Sequence, residues 1–309
     1  MSPFVAGLVL GSALLHASWN ALLKGGGDRL HSITVMALAA SLASAVWAIL
    51  LPTPLAASWF YIGLSVALHV VYNSLLVIAY RHGDLGVIYP IARGSSPMLV
   101  AAGAAILAGE RLDAFTLAGI ALVCCGIFGL VRERREGQLS RGMGPALLTG
   151  VTIAAYTVVD GIGSRASGNA WAYSAWLFLG LGPAMIPVWI WRRGHPARHL
   201  RWDAVTLRSA AGGIVSLAAY TIVIWAASVS PMGQVSALRE SSVLFAALLG
   251  WLFLGEPLGA VRLAACLVVA VGAACLGLRG KQKEEIEPAN SGNAAAQLTA
   301  LCKAAATQS

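Results

Sequence analysis

Charged side chains are scarce in this sequence. Lys, Arg, Asp and Glu make up 11% of its 309 residues, whereas 58% of the residues are hydrophobic. A soluble domain carries about 25% charged residues, and so few charges could not cover the surface of a water-soluble fold of this length. The composition therefore excludes disordered chains, fibrous repeats and nearly all soluble enzyme classes. It predicts an all-α membrane protein that crosses the bilayer many times.

Cysteines are also few, and motifs that carry chemistry are missing. No pair among the five cysteines has metal-ligand spacing, so we interpret them as small apolar packing residues and predict neither a metal nor a cofactor. The sequence has no Walker loop, no dinucleotide-binding glycine fingerprint, no HExxH motif and no nucleophile elbow. These absences argue against an ATP-driven pump and against an enzyme. The net charge of +8 is not accompanied by any nucleic-acid motif, so no nucleic-acid binding is expected.

Long apolar runs dominate the sequence that remains. A membrane-spanning helix needs about 20 mostly apolar residues. This length predicts ten spans, at 3–23, 31–51, 56–80, 85–108, 112–131, 143–163, 170–191, 204–229, 231–254 and 257–279. The first span lacks a basic leader and a small-residue cleavage site, so we expect it to be retained as a helix. Residues 280–309 contain no such run and are predicted to form a mobile tail, with one weak helix around 293–305.

The chain repeats itself at an offset of 146 residues. Residues 93–112 read RGSSPMLVAAGAAILAGERL, and residues 239–258 read RESSVLFAALLGWLFLGEPL. We therefore predict two five-helix halves, 1–131 and 141–279. Because five is odd, the second half enters the membrane in the opposite orientation, which gives the inverted repeat typical of secondary transporters, with a central cavity near mid-membrane. A duplicated scaffold without a transport role is the alternative.

The distribution of Lys and Arg predicts which loops face the cytoplasm. Most basic residues outside the spans lie in the loops that follow spans 1, 3, 5 and 7. The loops after spans 2, 4, 6 and 8 contain only Arg111 and Arg165. The positive-inside rule then places the odd-numbered loops in the cytoplasm and both termini outside.

Two arginines occupy equivalent positions deep inside spans four and nine. Arg93 and Arg239 each lie eight residues from the start of their span, about 12 Å into a hydrocarbon core about 30 Å thick. An arginine at that depth should face the bundle interior or water, and its planar guanidinium suits a carboxylate or phosphate. We interpret both as candidate substrate ligands, with a structural lock between helices as the alternative. Pro90 and Pro97 flank Arg93 and predict local unwinding of span four, but not of span nine.

The acidic residues have two different interpretations. Asp160 in span six and Glu240 in span nine are deep enough to neutralise an arginine or to take up a proton that drives transport. Because adjacent residues on a helix point about 100° apart, Glu240 and Arg239 are expected to face different directions. Glu110 and Glu256 each follow a glycine just before the next span. Each is therefore expected to cap the N-terminus of the helix that follows it.

Polar and aromatic side chains form stripes on several spans. His16 and Asn20 are four residues apart and therefore share a helix face. Interhelical hydrogen bonds would explain any one such residue. Stripes on spans 1, 3, 6 and 8 together favour a cavity that suits a flat or apolar substrate. The candidate substrate-binding residues are His16, Trp19, Asn20, Tyr72, Asn73, Tyr89, Arg93, Tyr156, Tyr220, Trp225 and Arg239.

These features together resemble the drug/metabolite transporter superfamily, in particular its ten-helix EamA-like branch. The resemblance is carried by Gly109–Leu112 and Gly255–Leu258, by the Arg-x-Ser-Ser stretch before each, and by the opening His16–Lys24. It covers residues 1–279 and implies a basket of helices, with the first four of each half around a central cavity and the fifth packed outside. The family includes exporters of amino acids and other metabolites. Its members usually have cytoplasmic termini, contrary to the loop charges here.

The resemblance and the residues together predict a secondary active transporter. We expect an exporter that moves a small amino-acid-like or organic-anion metabolite across the inner membrane by alternating access. Its expected partners are the small-molecule substrate and the lipid bilayer, with protons as one candidate coupling ion, and it is expected to act as a monomer or homodimer. The alternatives are an intramembrane or lipid-modifying enzyme and a channel or scaffold.

Overall fold

The computed structural model is a bundle of helices. It describes residues 1–22, 28–82, 85–130, 139–194, 203–254 and 259–277, so the predicted tail at 280–309 lies outside the described residues. The helices are α1 (Pro3–Leu22), α2 (Arg29–Leu50), α3 (Trp59–His82), α4 (Leu85–Ala108), α5 (Ala114–Gly129), α6 (Leu139–Ala166), α7 (Ala170–Arg193), α8 (Ala204–Val229), α9 (Met232–Arg239), α10 (Ser242–Leu254) and α11 (Ala260–Gly277). A single 3₁₀ turn, Ala56–Ser58, precedes α3. No strand occurs in these ranges, which confirms the all-α class.

The helices follow the predicted spans, and two of them, α4 and α8, have the predicted bounds. Eight helical segments in the described ranges are long and apolar enough to cross a membrane when α9 and α10 are taken as one segment. The apolar helix α5 is shorter, with 16 residues. The length and apolar character of these segments confirm a membrane protein with many passes.

Four helices begin at a side-chain cap. The carboxylate of Asp113 accepts a hydrogen bond from the Thr116 N–H at 3.0 Å, at the start of α5. The same role at α2, α7 and α8 is taken by Asp28, Asn169 and Asp203. These caps satisfy N–H groups that the first turn of a helix leaves unpaired. The hydrogen bond from the Thr206 N–H lowers the pKa of Asp203, because it stabilises the charged carboxylate.

Span four is continuous, so the prediction that it unwinds near Arg93 is wrong. The helix α4 passes through Pro90 and Pro97 without interruption. Pro97 cannot donate a hydrogen bond to the Arg93 carbonyl, which lies four residues earlier. The Ser96 hydroxyl donates to that carbonyl instead, at 3.2 Å. A local side-chain hydrogen bond thus replaces the missing backbone bond and the helix continues.

Span nine is the one that is interrupted. Glu240 and Ser241 form a turn between α9 and α10. The N–H of Ser241 bonds the carbonyl of Leu238 at 3.1 Å, and that of Val243 bonds the carbonyl of Glu240 at 3.0 Å. Both bonds reach back three residues, as in a 3₁₀ helix. The tighter turn ends α9 at Arg239, next to the buried Glu240.

Helices of the two predicted halves, 1–131 and 141–279, pack against each other. The most extensive helix contacts are α4 with α6, α2 with α7, α3 with α6, α1 with α8 and α2 with α8, and each joins a helix of the first predicted half to one of the second. In the predicted repeat, α6 is the counterpart of α1, α7 of α2 and α8 of α3. Replacing each helix by its counterpart converts the α3–α6 contact into the α1–α8 contact and leaves the α2–α7 contact unchanged. The packing therefore has the pairing that a two-fold relation between the halves requires.

Glycines let α5 and α11 approach closely. A Cβ atom at Gly126 would lie 3.0 Å from the carbonyl oxygen of Ala265, and one at Gly272 would lie 2.9 Å from that of Gly119. The repeat offset of 146 residues converts each of these contacts into the other. The fifth helices of the two halves thus pack against each other across equivalent glycines.

We predict that Gly126→Ala and Gly272→Ala destabilise the protein. Each added methyl group would meet neighbouring backbone, and overpacking of this kind costs about 1–3 kcal/mol. The matched control is Gly7→Ala in α1, where a Cβ meets nothing within 4 Å. Thermal unfolding of the purified protein in detergent should show a lower Tm for both α5–α11 variants than for the control. Equal Tm values for Gly126→Ala and Gly7→Ala would contradict the predicted close packing.

Candidate substrate-binding site

A cavity of about 150 Å³ lies between helices of the two predicted halves. Its described wall comes from α1–α4 and α6–α9, with no residue from α5 or α11. A cavity of about this volume can hold a ligand the size of benzene. Nine of the eleven predicted residues lie in the wall: His16, Trp19, Asn20, Tyr72, Asn73, Arg93, Tyr156, Tyr220 and Arg239. The structure brings them together from six helices, and their role as ligands stays a prediction.

Trp225 lies apart from the cavity. Its ring packs edge-on to Phe4, with centroids 6.3 Å apart, and stacks on Trp171 at 6.4 Å with the planes inclined by 30°. These contacts give Trp225 a packing role near the far end of α8, so the structure does not support it as a wall residue. The side chain of Tyr89, the other remaining candidate, lies outside the described residues.

Sequence reasoning missed the contribution of α2 to the wall. Arg29, Ser32, Ile33 and Met36 from the first two turns of α2 all face the cavity. Arg29 comes just before the predicted second span, 31–51, where its charge indicates a loop. The other three are small or apolar residues, which carry no sequence signal that separates a cavity wall from a packed core.

The cavity lies toward the end of the bundle where α1 ends and α2 begins. Arg29 is the first residue of α2, and Asn20 is near the end of α1. At the same end, His31 Nε2 contacts Thr206 Oγ1 at 2.8 Å, so the starts of α2 and α8 meet there. The loop charges predict that this end faces the cytoplasm. We call it the α1–α2 end.

The opposite end, where α4 meets α5, is tied together by one arginine. Arg165 Nη2 lies 2.6 Å from Glu110 Oε1, and it also donates to the carbonyls of Ala227 at 2.8 Å and Ser230 at 2.9 Å. Glu110 Oε2 accepts a hydrogen bond from the backbone N–H of Met232 at 2.9 Å. This α4–α5 end contact joins the ends of α4, α6 and α8 to the start of α9.

Glu110 therefore caps a helix, but not the expected one. The prediction that it caps the following helix is wrong, because Asp113 occupies the cap position of α5. Glu110 instead satisfies the first N–H of α9, which follows Pro231 and has no side-chain cap of its own. Its repeat counterpart, Glu256, lies outside the described residues.

Both deep arginines converge on one carboxylate. Arg93 Nε lies 2.8 Å from Glu240 Oε2, and Arg239 Nη2 lies 3.4 Å from Glu240 Oε1. The two arginines are 3% exposed and Glu240 is 0% exposed. The N–H on Arg93 Nε is not aligned with the nearby oxygen, so the 2.8 Å contact is primarily ionic. The Arg93 Nη2 group also donates to the Ser242 hydroxyl at 3.4 Å.

Glu240 faces a different helix, as expected, because one of its oxygens contacts Arg93 on α4. Its other oxygen lies 3.4 Å from Arg239 on its own span, so it can neutralise either arginine. The helix α9 ends at Arg239, and Glu240 lies in the 3₁₀ turn that follows it. The interrupted span thus supplies both an arginine and its counter-charge.

Asp160 is buried behind the aromatic side of the cavity. Its Oδ1 accepts a hydrogen bond from the Tyr173 hydroxyl at 3.0 Å, and its Oδ2 accepts one from the Tyr220 hydroxyl at 2.7 Å. Tyr220 lies in the cavity wall, whereas Asp160 does not. The carboxylate is therefore connected to the cavity through one phenol.

Aromatic rings cover this side of the cavity. His69 stacks on Tyr156 with centroids 4.1 Å apart and planes inclined by 28°. Tyr72 and Tyr220 meet Tyr156 edge-on at 5.5 Å and 5.8 Å, and Phe178 meets Tyr220 at 6.2 Å. Edge-on and offset arrangements of this kind are favourable between rings. The surface suits the flat, apolar part of a ligand.

Helices from both predicted halves thus surround a cavity with arginines in its wall. The model of the EamA-like transporter family matches residues 140–278. This match shows that residues 140–278 are similar to that family, and it confirms the resemblance to the drug/metabolite transporter superfamily.

The fold has solved relatives. No curated protein matches the chain. Twenty-eight chains of solved structures match it. One, described only as the crystal structure of a protein, aligns with a TM-score of 0.68 and 16% identity, over 90% of this chain and 98% of that one. At that identity the likeness supports the fold alone.

Within the described ranges, no group of three or more His, Cys, Asp and Glu side chains could hold a metal ion.

We predict that a cysteine in the wall reacts with thiol reagents and that a buried one on the same helix does not. Ser216→Cys places a thiol in the cavity wall on α8, and Ser209→Cys places one at a fully buried position two turns earlier. Both variants are made without the five native cysteines. A small charged methanethiosulfonate reagent should label Ser216→Cys much faster, since thiol reactivity requires access. Equal labelling rates would contradict the assigned wall.

Proposed function

We propose that the chain is a secondary active exporter of a small amino-acid-like or organic-anion metabolite. It would act in the inner membrane, as a monomer or homodimer, by alternating access. The observation that carries this proposal is the cavity between the halves, with Arg93 and Arg239 in its wall. Sites between two halves of a repeat are the usual substrate sites of such carriers.

Substrate binding is supported by the chemistry of the wall. A guanidinium offers a planar fork of donors that matches a carboxylate or phosphate. Arg93 and Arg239 bring two such groups to one cavity from α4 and α9. Asn20 and Asn73 add neutral donors and acceptors, and the tyrosine side adds apolar area. An anionic group would bind at the arginines while the rest of the ligand packs against the rings.

Alternating access is supported by the unequal ends of the bundle. The wall reaches Arg29 at the α1–α2 end, whereas Glu110 and Arg165 tie the helices together at the α4–α5 end. A carrier that exposes its site on the other side must open that end, so the ionic contact would break in each transport cycle. The predicted halves, 1–131 and 141–279, would supply the two arrangements by rocking against each other.

Protons are the coupling ion we propose. Glu240 contacts both substrate-facing arginines, so a proton on Glu240 would release them toward a ligand. Asp160 reaches the cavity through the Tyr220 hydroxyl, so a proton on Asp160 would change how Tyr220 presents its hydroxyl group. Intramembrane carboxylates commonly serve as proton relays in transporters.

We predict that Arg93→Ala and Arg239→Ala each raise the half-saturating substrate concentration by about tenfold or more. The reason is the loss of a charge-assisted hydrogen bond, worth about 1.5–3 kcal/mol. The assay is counterflow in proteoliposomes, screened over metabolite classes with and without a pH gradient. The control is Arg208→Ala, which removes an exposed arginine of α8 outside the wall. If both wall variants transport like the parent protein, the site assignment is wrong.

We also predict that locking the α4–α5 end stops turnover. In a background without native cysteines, Glu110→Cys and Arg165→Cys are combined and bridged with a bifunctional methanethiosulfonate reagent. Transport should fall to the background of empty liposomes and return after reduction, because the end contact can no longer open. Each single variant, treated identically, is the control. Full transport by the bridged protein would refute the proposed opening of this end.

A further inference from the structure

We infer that His69 and Tyr220 form a pair of hydrogen-bond acceptors that recognises an N–H or O–H group on the ligand. The inference rests on the proposed function and narrows its substrate class to organic anions that also carry such a donor. It makes His69, which is not among the candidate residues predicted from sequence, a specificity-determining residue of the cavity wall.

The Tyr220 hydroxyl gives its hydrogen to a residue behind the wall. It donates to Asp160 Oδ2 at 2.7 Å, and Tyr220 lies in the cavity wall whereas Asp160 does not. A phenol has one hydrogen to donate, and its oxygen can also accept. While Asp160 is a carboxylate, without the coupling proton, the Tyr220 oxygen can therefore only accept a hydrogen bond from a ligand.

The position of the ring hydrogen on His69 follows from its contacts. His69 Nδ1 lies 2.9 Å from the backbone carbonyl oxygen of Ser65 and 3.2 Å from the Ser65 hydroxyl oxygen. A carbonyl oxygen can only accept a hydrogen bond, so Nδ1 must carry a hydrogen. In the neutral imidazole the other nitrogen, Nε2, then has a lone pair and acts as an acceptor.

The surroundings of His69 favour this neutral form. Within the described ranges neither ring nitrogen contacts a carboxylate, and both oxygens of Asp160 accept hydrogen bonds from Tyr173 and Tyr220. A second proton on the ring would bury a charge in the membrane without a direct counter-ion, which is costly. The ring lies in the cavity wall, and Nε2 has no hydrogen-bond partner in the described part of the chain. Nε2 is therefore the polar atom that His69 offers to a ligand.

One ligand can reach both acceptors. The rings of His69 and Tyr220 have centroids 5.5 Å apart, and both pack against Tyr156. A cavity of about 150 Å³ holds a ligand about the size of benzene, so a ligand that fills it meets both rings. The negative charge of Asp160 behind Tyr220 also attracts the positive end of an N–H or O–H bond.

A ligand without a donor would leave both acceptors unpaired. Enclosing a polar atom without a hydrogen-bond partner costs binding free energy. A site that is built to bond an N–H or O–H group therefore discriminates against an analogue that lacks it more strongly than apolar contacts do. We expect amino and hydroxy acids to bind more tightly than alkyl acids of the same size.

The test compares three carboxylates with the same number of non-hydrogen atoms: pentanoate, 4-hydroxybutanoate and 4-aminobutanoate. A second series, 2-methylbutanoate, 2-hydroxybutanoate and 2-aminobutanoate, carries the varied group next to the carboxylate. Binding to the purified full-length protein in detergent is measured by isothermal titration calorimetry. In at least one series the parent protein should bind the amino acid about tenfold or more tighter than the alkyl acid, and the hydroxy acid about threefold or more tighter.

Substitutions at the two acceptors assign this preference to them. His69→Phe keeps a flat ring but removes Nε2, and Tyr220→Phe removes the hydroxyl oxygen. Each should reduce the preference for the donor-bearing acids by about threefold or more, and the double variant should abolish it. The matched control is Tyr173→Phe, which also removes one phenol hydrogen bond to Asp160 but lies outside the cavity wall. This control should keep the preference of the parent protein.

Three results would overturn the inference. One is a parent protein that binds no probe, or binds the alkyl acids as tightly as their analogues in both series. The second is an unchanged preference in His69→Phe, which decides the matter even if Tyr220→Phe does not fold. The third is an equal loss of the preference in Tyr173→Phe and Tyr220→Phe. Failure of the proposed function looks different: the preference and its loss would hold in binding, but no probe would show counterflow in proteoliposomes.

Discussion

A guanidinium in the middle of a bilayer needs a counter-charge or water, since its insertion costs at least about 2.5 kcal/mol. This chain buries two guanidiniums and places one carboxylate between them. Glu240 contacts both Arg93 on α4 and Arg239 at the end of α9. The Glu240 carboxylate therefore connects the two predicted halves of the chain. Removing that carboxylate would leave buried, uncompensated charge, which costs about 3–5 kcal/mol in proteins.

The cluster of Arg93, Arg239 and Glu240 lies where the ninth span is interrupted and next to the cavity. Glu240 lies in the 3₁₀ turn after Arg239 and contacts Arg93 with one carboxylate oxygen and Arg239 with the other. Both arginines also lie in the cavity wall. The aromatic side faces the same space, and Asp160 lies behind it. The three charged residues, the cavity and the aromatic side of its wall therefore lie next to one another.

The helical fold and nine residues of the wall could be predicted from sequence because their signals are local. Run length and hydropathy locate a span, and α8 has the bounds that this reasoning predicts. The depth of Arg93 and Arg239 follows from counting residues, and a polar stripe such as His16 and Asn20 follows from helical spacing. What remained hidden depends on neighbours distant in sequence. The partners of Glu110 are Arg165 and Met232, and no local pattern indicates either.

We expect Arg93 and Glu240 to stabilise each other across the two predicted halves, and a double-mutant cycle on the free energy of unfolding tests this coupling directly. Arg93→Gln, Glu240→Gln and the double variant are unfolded reversibly in mixed micelles. We expect the double variant to be more stable than the sum of the single effects implies, with a coupling of about 1–3 kcal/mol. Additive effects of the two substitutions would contradict the account.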